Sequence, residues 1–215
     1  MAIDLDAIKP FLHYDYLAIV GGEPLLSPNI PEFIQLAMAS GVVDDVMVIT
    51  NGTLLPKQAD RFWESLKALR ISIYPILDRA IIALAQEKSE KHGFRLELME
   101  CTEFYKQFKQ VPDDGMEVFQ NCTWKDTCHT IHDGRYYRCP QSVFFHKVFS
   151  QLNEGEDGLE LTGLTDEKLS AFLDRTEPLK ACSVCCGGHS ETVPWREAKT
   201  KKEWMEGSTV ERGDT

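Results

Sequence analysis

The chain has 215 residues, of which 43% are hydrophobic and 27% charged, with a net charge of −11. These values suit a globular protein long enough to bury a core, and they argue against a nucleic-acid partner, which would need a broad basic face. The densest basic group, Lys199, Lys201 and Lys202, stands beside Glu203 and Glu206 and reads as a solvated face. No apolar run approaches the length of a membrane span, and the first ten residues mix acids and Lys9 with short apolar steps, so neither a membrane partner nor a signal peptide is expected and a cytoplasmic location is.

The first hundred residues alternate strand and helix signals. Residues 16–20 (YLAIV) form a short apolar run that ends at Gly21-Gly22. Residues 31–40 have helical spacing, with Asn29 ahead as a cap and Gly41 behind as a stop. Residues 46–49 (VMVI) predict a second strand closed by Thr50-Asn51-Gly52, and residues 57–69 a helix with Phe62, Leu66 and Leu69 on one side. Residues 70–74 (RISIY) predict a third strand, 77–91 a third helix and 94–99 (FRLELM) a fourth strand. Such repetition implies parallel strands joined by crossover helices, with the chemistry at their carboxyl ends.

Beyond about residue 110 the periodicity fades and the cysteines begin. Asp133-Gly134 signals a hairpin, residues 151–163 an exposed acidic loop, and residues 165–175 a short helix capped by Thr165. The expected organisation is an α/β unit over 1–111, a cysteine-rich unit over 112–198 and a polar tail over 199–215. Six of the seven cysteines fall at 122, 128, 139, 182, 185 and 186, which in a cytoplasmic chain points to metal before disulfides. Cys101 reads as a buried thiol. His129, His132 and His189 read as hydrogen-bonding neighbours of a metal site or as exposed side chains.

The order strand, GGEPLL (21–26), helix, strand, Thr-Asn-Gly, helix, strand with Ser72 resembles the partial (β/α) barrel of radical S-adenosylmethionine (radical SAM) proteins from its second strand onward. The resemblance implies that Gly21, Gly22 and Glu23 contact the amino group of S-adenosylmethionine, with Asn51 and Ser72 as further contacts. Two glycines permit close backbone approach, and a carboxylate accepts from an ammonium. The family also carries a CxxxCxxC loop after its first strand, which holds the catalytic 4Fe–4S cluster. No cysteine precedes Cys101 here, so radical generation by this chain alone is not expected, and a partner chain supplying that segment is implied.

Residues 121–140 (NCTWKDTCHTIHDGRYYRCP) have the skeleton C-x5-C-x5-G-x4-C, and residues 181–188 (ACSVCCGG) add C-x2-C. Together they resemble the SPASM and shorter Twitch extensions of radical SAM enzymes, which hold auxiliary iron–sulfur clusters. The resemblance implies one auxiliary 4Fe–4S cluster on Cys122, Cys128, Cys139 and one of Cys182 or Cys185. A variant drops Cys122 or Cys128 and uses both Cys182 and Cys185. The implied role is that of a truncated or split radical SAM enzyme acting on a peptide, sugar or small metabolite. The alternatives are a non-catalytic iron–sulfur or electron-relay protein, and a structural zinc protein. A barrel begun at its second strand also leaves residues 16–20 as an unpaired edge that favours association.

Overall fold

The computed structural model describes residues 1–188 and 190–210, which divide into two units, one over residues 1–102 and one from residue 103 onward. The first unit opens with helix α1 (Ala2–Ile8) and continues β1 (Tyr14–Ile19), α2 (Ile30–Ser40), β2 (Val43–Thr50), α3 (Asp60–Ser65), β3 (Ala68–Ile73), α4 (Arg79–His92) and β4 (Arg95–Glu100). The four strands form one all-parallel sheet in the order β1-β2-β3-β4, which is chain order. This confirms the α/β class.

Local chemistry explains most boundaries. Helix α2 has Pro31 in its first turn and ends at Gly41 in the left-handed region (φ 69°). Helix α4 is capped by the Asp78 carboxylate, which accepts from Ala80 N, and ends at Gly93 (φ 76°). The expected helix over 57–69 is shorter: a 3-10 turn covers Leu55–Lys57, α3 covers only Asp60–Ser65, and Leu66 is already extended (ψ 139°). The apolar spacing of Phe62, Leu66 and Leu69 crosses a helix-to-strand boundary, because Ala68 and Leu69 are drawn into register with Met47 and Val48. Sheet pairing overrides local periodicity there.

Register divides the sheet into two faces. Ile19, Val48, Leu69 and Leu96 share one row, and the central pair is fully buried. Helices α2 and α3 add Ile34, Ala37, Phe62 and Trp63 to the buried core. The opposite face carries charge: Arg95 reaches Asp45 across the sheet at 2.8 Å and Glu97 at 3.2 Å, and Glu97 also binds Arg70 at 2.7 Å. The ladder is local: Met47 and Ala68, in the same register row as Arg95, are buried. The hydrogen bonds from Arg70 hold the Glu97 carboxyl below its ordinary range. Strand β1 pairs only with β2 among the described residues, and Tyr16 on it is exposed, as expected for an edge.

The second unit contains β5 (Glu103–Tyr105), β6 (Phe108–Lys109), α5 (Met116–Asn121), α6 (Trp124–Thr127), β7 (Thr130–His132), β8 (Arg135–Tyr137), α7 (Pro140–Phe144), β9 (Gly158–Glu160), α8 (Asp166–Leu173), β10 (Thr192–Pro194) and α9 (Lys201–Ser208). Strands β7, β8 and β9 form an antiparallel sheet in that order, and β10 pairs with β5. Asp133 (φ 47°) and Gly134 (φ 72°) make the two-residue hairpin turn that the sequence announces. Thr165 caps α8 by accepting from Lys168 N. The loop expected over 151–163 contributes β9, and the polar tail contains α9. No described helix is long and apolar enough to cross a membrane.

Leu69 sits at 0% exposure in the middle of the first unit's sheet. Leu69→Ala should therefore lower its unfolding free energy by about 2–5 kcal/mol, measured by urea denaturation.

Candidate functional site

Each unit brings together one of the residue sets singled out in the sequence. In the first, Gly21, Gly22 and Glu23 follow β1, Asn51 follows β2 and Ser72 is the penultimate residue of β3. All therefore lie at the carboxyl end of the parallel sheet, where α/β proteins bind ligands. Both glycines are exposed, and a Cβ at either would meet nothing within 4 Å, so the loop is open to approach.

The Glu23 carboxylate is committed to the protein. Oε1 accepts from Leu25 N at 3.0 Å and from Thr50 Oγ1 at 2.6 Å, and Oε2 accepts from Asn51 N at 2.9 Å. It caps the 3-10 turn Pro24–Leu26 and clamps the β1 loop to the end of β2. Asn51 Oδ1 accepts from Thr53 N at 2.9 Å and Thr53 Oγ1 at 2.7 Å, the pattern of a side-chain-stabilised turn. Ser72 is buried and hydrogen-bonds Tyr74, a residue the sequence reading passed over. Burial pushes the Tyr74 phenol up, and nearby Cys101 and Glu23 add to that. Cys101 is half-buried at the same end of the sheet, where its thiol donates to Met99 O at 3.5 Å. Cys101 is thus less buried than expected; it follows β4, which pairs only with β3 among the described residues.

In the second unit, Cys122, Cys139, Cys182 and Cys185 line one cavity of about 20 Å³ together with Val118, Phe119, Trp124, Leu179 and Ala181. Cys122 ends α5, Cys139 precedes α7, and Cys182 lies on the 3-10 turn Lys180–Ser183. Cys139 packs with Cys182 against Phe119 and Leu179. Gly115 permits the close approach of the α5 start to the 3-10 turn. It lies at φ 75°, and a Cβ there would fall 2.8 Å from Cys182 and Ser183 backbone atoms.

Cys128 stands apart. The single turn of α6 separates it from Cys122 and leaves it exposed, with its sulfur 3.8 Å from Thr127 Oγ1. The cysteines gathered here are those of the variant that omits Cys128. Cys186 does not line the cavity, but it borders an adjoining cleft of about 400 Å³ with Lys109, Glu117, Asn121 and Glu191. Val118, Cys122 and Gly187 belong to both walls.

Lys125 and Gln141 also stand in the wall; the Lys125 ammonium pairs with Asp126 and lies 5.4 Å over the Phe119 ring. Burial pushes the Cys182 and Cys185 thiols up to about 12, and it raises Cys139 as well, against hydrogen bonds from Ser142. All three are protonated in the metal-free chain at neutral pH, so any metal must displace their protons. Gly187 N donates to Cys185 Sγ at 3.3 Å, a bond that stabilises a thiolate. The donor set suits a soft metal centre. Among the described residues no three Cys, His, Asp or Glu side chains are drawn together tightly enough to hold a single metal ion. The space is that of about one water molecule, so the thiols must rotate to admit anything larger.

The surroundings are braced by Arg138, next to Cys139 and 5% exposed. It donates to Asp126 Oδ1 at 2.6 Å and to Lys125 O at 3.3 Å, and its guanidinium lies 5.4 Å over the Phe119 ring. His129 Nδ1 lies 2.6 Å from Tyr136 Oη, and burial lowers its pKa, so it serves the hairpin as a neutral hydrogen-bonding group. His132 is exposed and stacks edgewise on Phe144. His189 lies outside the described residues.

No family's sequence profile matches the chain. The GTP 3′,8-cyclase of Chlorobaculum tepidum is 45% identical over 49 residues, which cover 23% of this chain and 15% of that protein. The GTP 3′,8-cyclase of Alkaliphilus oremlandii is 43% identical over 63 residues, 29% of this chain and 20% of that protein. The similarity thus spans a fifth or less of the length of these curated relatives. GTP 3′,8-cyclase is a radical SAM enzyme, and the short matches support a relation to the radical SAM superfamily.

Two outcomes follow. Glu23→Ala removes two hydrogen bonds between the β1 loop and the end of β2, and the cap on the 3-10 turn, and should destabilise the chain by about 2–3 kcal/mol, read by urea denaturation. Asp126 is held below the ordinary carboxylate range: burial opposes this but is outweighed by the bonds from Lys125 and Arg138. Its contribution is complete above that range and is lost as pH falls through the lowered value. Melting temperature against pH should accordingly drop less steeply on the acid side in Asp126→Asn than in the wild type.

Proposed function

We propose that the chain is a radical SAM protein of the SPASM/Twitch type that binds one auxiliary 4Fe–4S cluster through Cys122, Cys139, Cys182 and Cys185. The observation that carries this reading is the convergence of four thiols, from three separate segments, on one apolar cavity. Bound there, such a cluster supplies one-electron chemistry. The short matches to radical SAM enzymes support the assignment of the superfamily.

In this reading the first unit is part of a (β/α) barrel, and its carboxyl-end loops, with Gly21, Gly22, Glu23, Asn51 and Ser72, form the S-adenosylmethionine side. The openness beside both glycines supports that role. Glu23 then acts by shaping the loop rather than by offering a free carboxylate, since both its oxygens already accept hydrogen bonds. Residues 1–100 contain no cysteine, so the thiolates of a CxxxCxxC loop would come from outside these 215 residues. The cleft of about 400 Å³ beside Cys122 has the size for a small molecule or a peptide side chain. The reaction class is modification of a peptide, sugar or small metabolite in the cytoplasm.

Anaerobic reconstitution with iron and sulfide, followed by metal and sulfide analysis and a visible spectrum, tests the proposal. About four irons and four sulfides per chain with broad absorption are expected. Cys139→Ala should abolish the colour and Cys128→Ala should keep it. Stoichiometric zinc without sulfide would replace this reading with a structural zinc site.

A further inference from the structure

The acidic stretch over 151–163 has the composition of a solvated loop, yet Asp157 within it is 5% exposed. Its two carboxylate oxygens accept from Lys180 N at 2.6 Å and from Ala181 N at 2.8 Å. These N–H groups open the 3-10 turn Lys180–Ser183, where no carbonyl of the turn can meet them. The turn carries Cys182, and Cys185 lies two residues beyond its end, after Val184. Burial pushes the Asp157 carboxyl up, while the two backbone bonds pull it down. Holding a carboxylate in such a place is costly unless those bonds are made.

Asp157 also directly precedes β9, which pairs with β8, and β8 leads through Arg138 into Cys139. The connection is stiff. A Cβ on Gly158 would lie 2.7 Å from the Tyr137 ring, so the strand pair packs without slack beside Asp157. One side chain therefore joins the segment that delivers Cys139 to the turn that delivers Cys182.

We infer that Asp157 is a positioning residue of the thiol site, holding the Lys180–Ser183 turn so that Cys182 and Cys185 face the cavity shared with Cys122 and Cys139. This rests on the thiolate reading above, but the contact exists in the metal-free chain and is tested there. Two variants weaken it from opposite ends. Asp157→Asn keeps the shape and turns one acceptor into a donor facing an N–H. Lys180→Pro deletes the donor of the shorter bond. Proline suits the first position of a helical turn, and Leu179 has the extended backbone (φ −66°, ψ 148°) that a residue before proline adopts.

The whole metal-free chain, reduced and under native conditions, is alkylated and each cysteine quantified by mass spectrometry. Both variants should label Cys182 and Cys185 about tenfold faster than the wild type, the scale of one lost charged hydrogen bond, with Cys101 and Cys128 unchanged. After reconstitution both should also lose iron to a chelator faster. Unchanged labelling in either variant overturns the inference, as does equal acceleration at every cysteine, which would mean general loosening. If the wild type takes up no iron and sulfide, the thiolate reading fails, while the labelling pattern still decides what Asp157 holds.

Discussion

A backbone N–H at the start of a helical turn has no partner within that turn, and in both units a carboxylate supplies the missing acceptor. Glu23 meets Leu25 N and Asn51 N, and Asp157 meets Lys180 N and Ala181 N. Such charge-assisted bonds are stronger than neutral ones and have direction. Because each carboxylate belongs to a segment distant from at least one of its donors, the same bonds that complete a turn also fix two stretches of chain against each other. The carboxyl-end loops of the parallel sheet depend on the first, and the placement of Cys182 on the second.

The two units solve different problems. The first is ordinary in its core, where Val48, Leu69 and Ile71 are sealed from water, and unusual on its other face, where Asp45, Arg95, Glu97 and Arg70 form a ladder. Half-exposed ion pairs of this kind contribute little to stability. The second unit has short strands and small apolar clusters around Phe108 and Phe119, and four thiols occupy part of what would otherwise be core. The thiols are thus part of the packing of this unit. Thiols lifted to high pKa by burial pack there as small apolar groups.

How far the sequence could be read depended on how local each cause was. The hairpin at Asp133-Gly134, the cap at Thr165 and the stop at Gly41 were legible because each follows from the conformational preferences of a few adjacent residues. Helix α3 was overestimated because the spacing of Phe62, Leu66 and Leu69 satisfies a helix, while pairing with β2 claims Leu69 for a strand. Strand β9 escaped notice because residues 158–160 have no alternating apolar pattern and owe their extension to β8.

The sequence by itself determined the alternation of strands and helices, the GGEPLL turn, the absence of cysteine from residues 1–100 and the two cysteine-bearing segments of the second unit. Only the tertiary structure decided which thiols meet. The turn of α6 carries Cys128 out to solvent, while a distant aspartate anchors the turn that carries Cys182 in. Only the tertiary structure, too, showed that Glu23 spends its oxygens on the protein. Spacing along a chain records which residues are close in sequence. The direction of a side chain depends on contacts between segments tens to more than a hundred residues apart, and no local pattern encodes those.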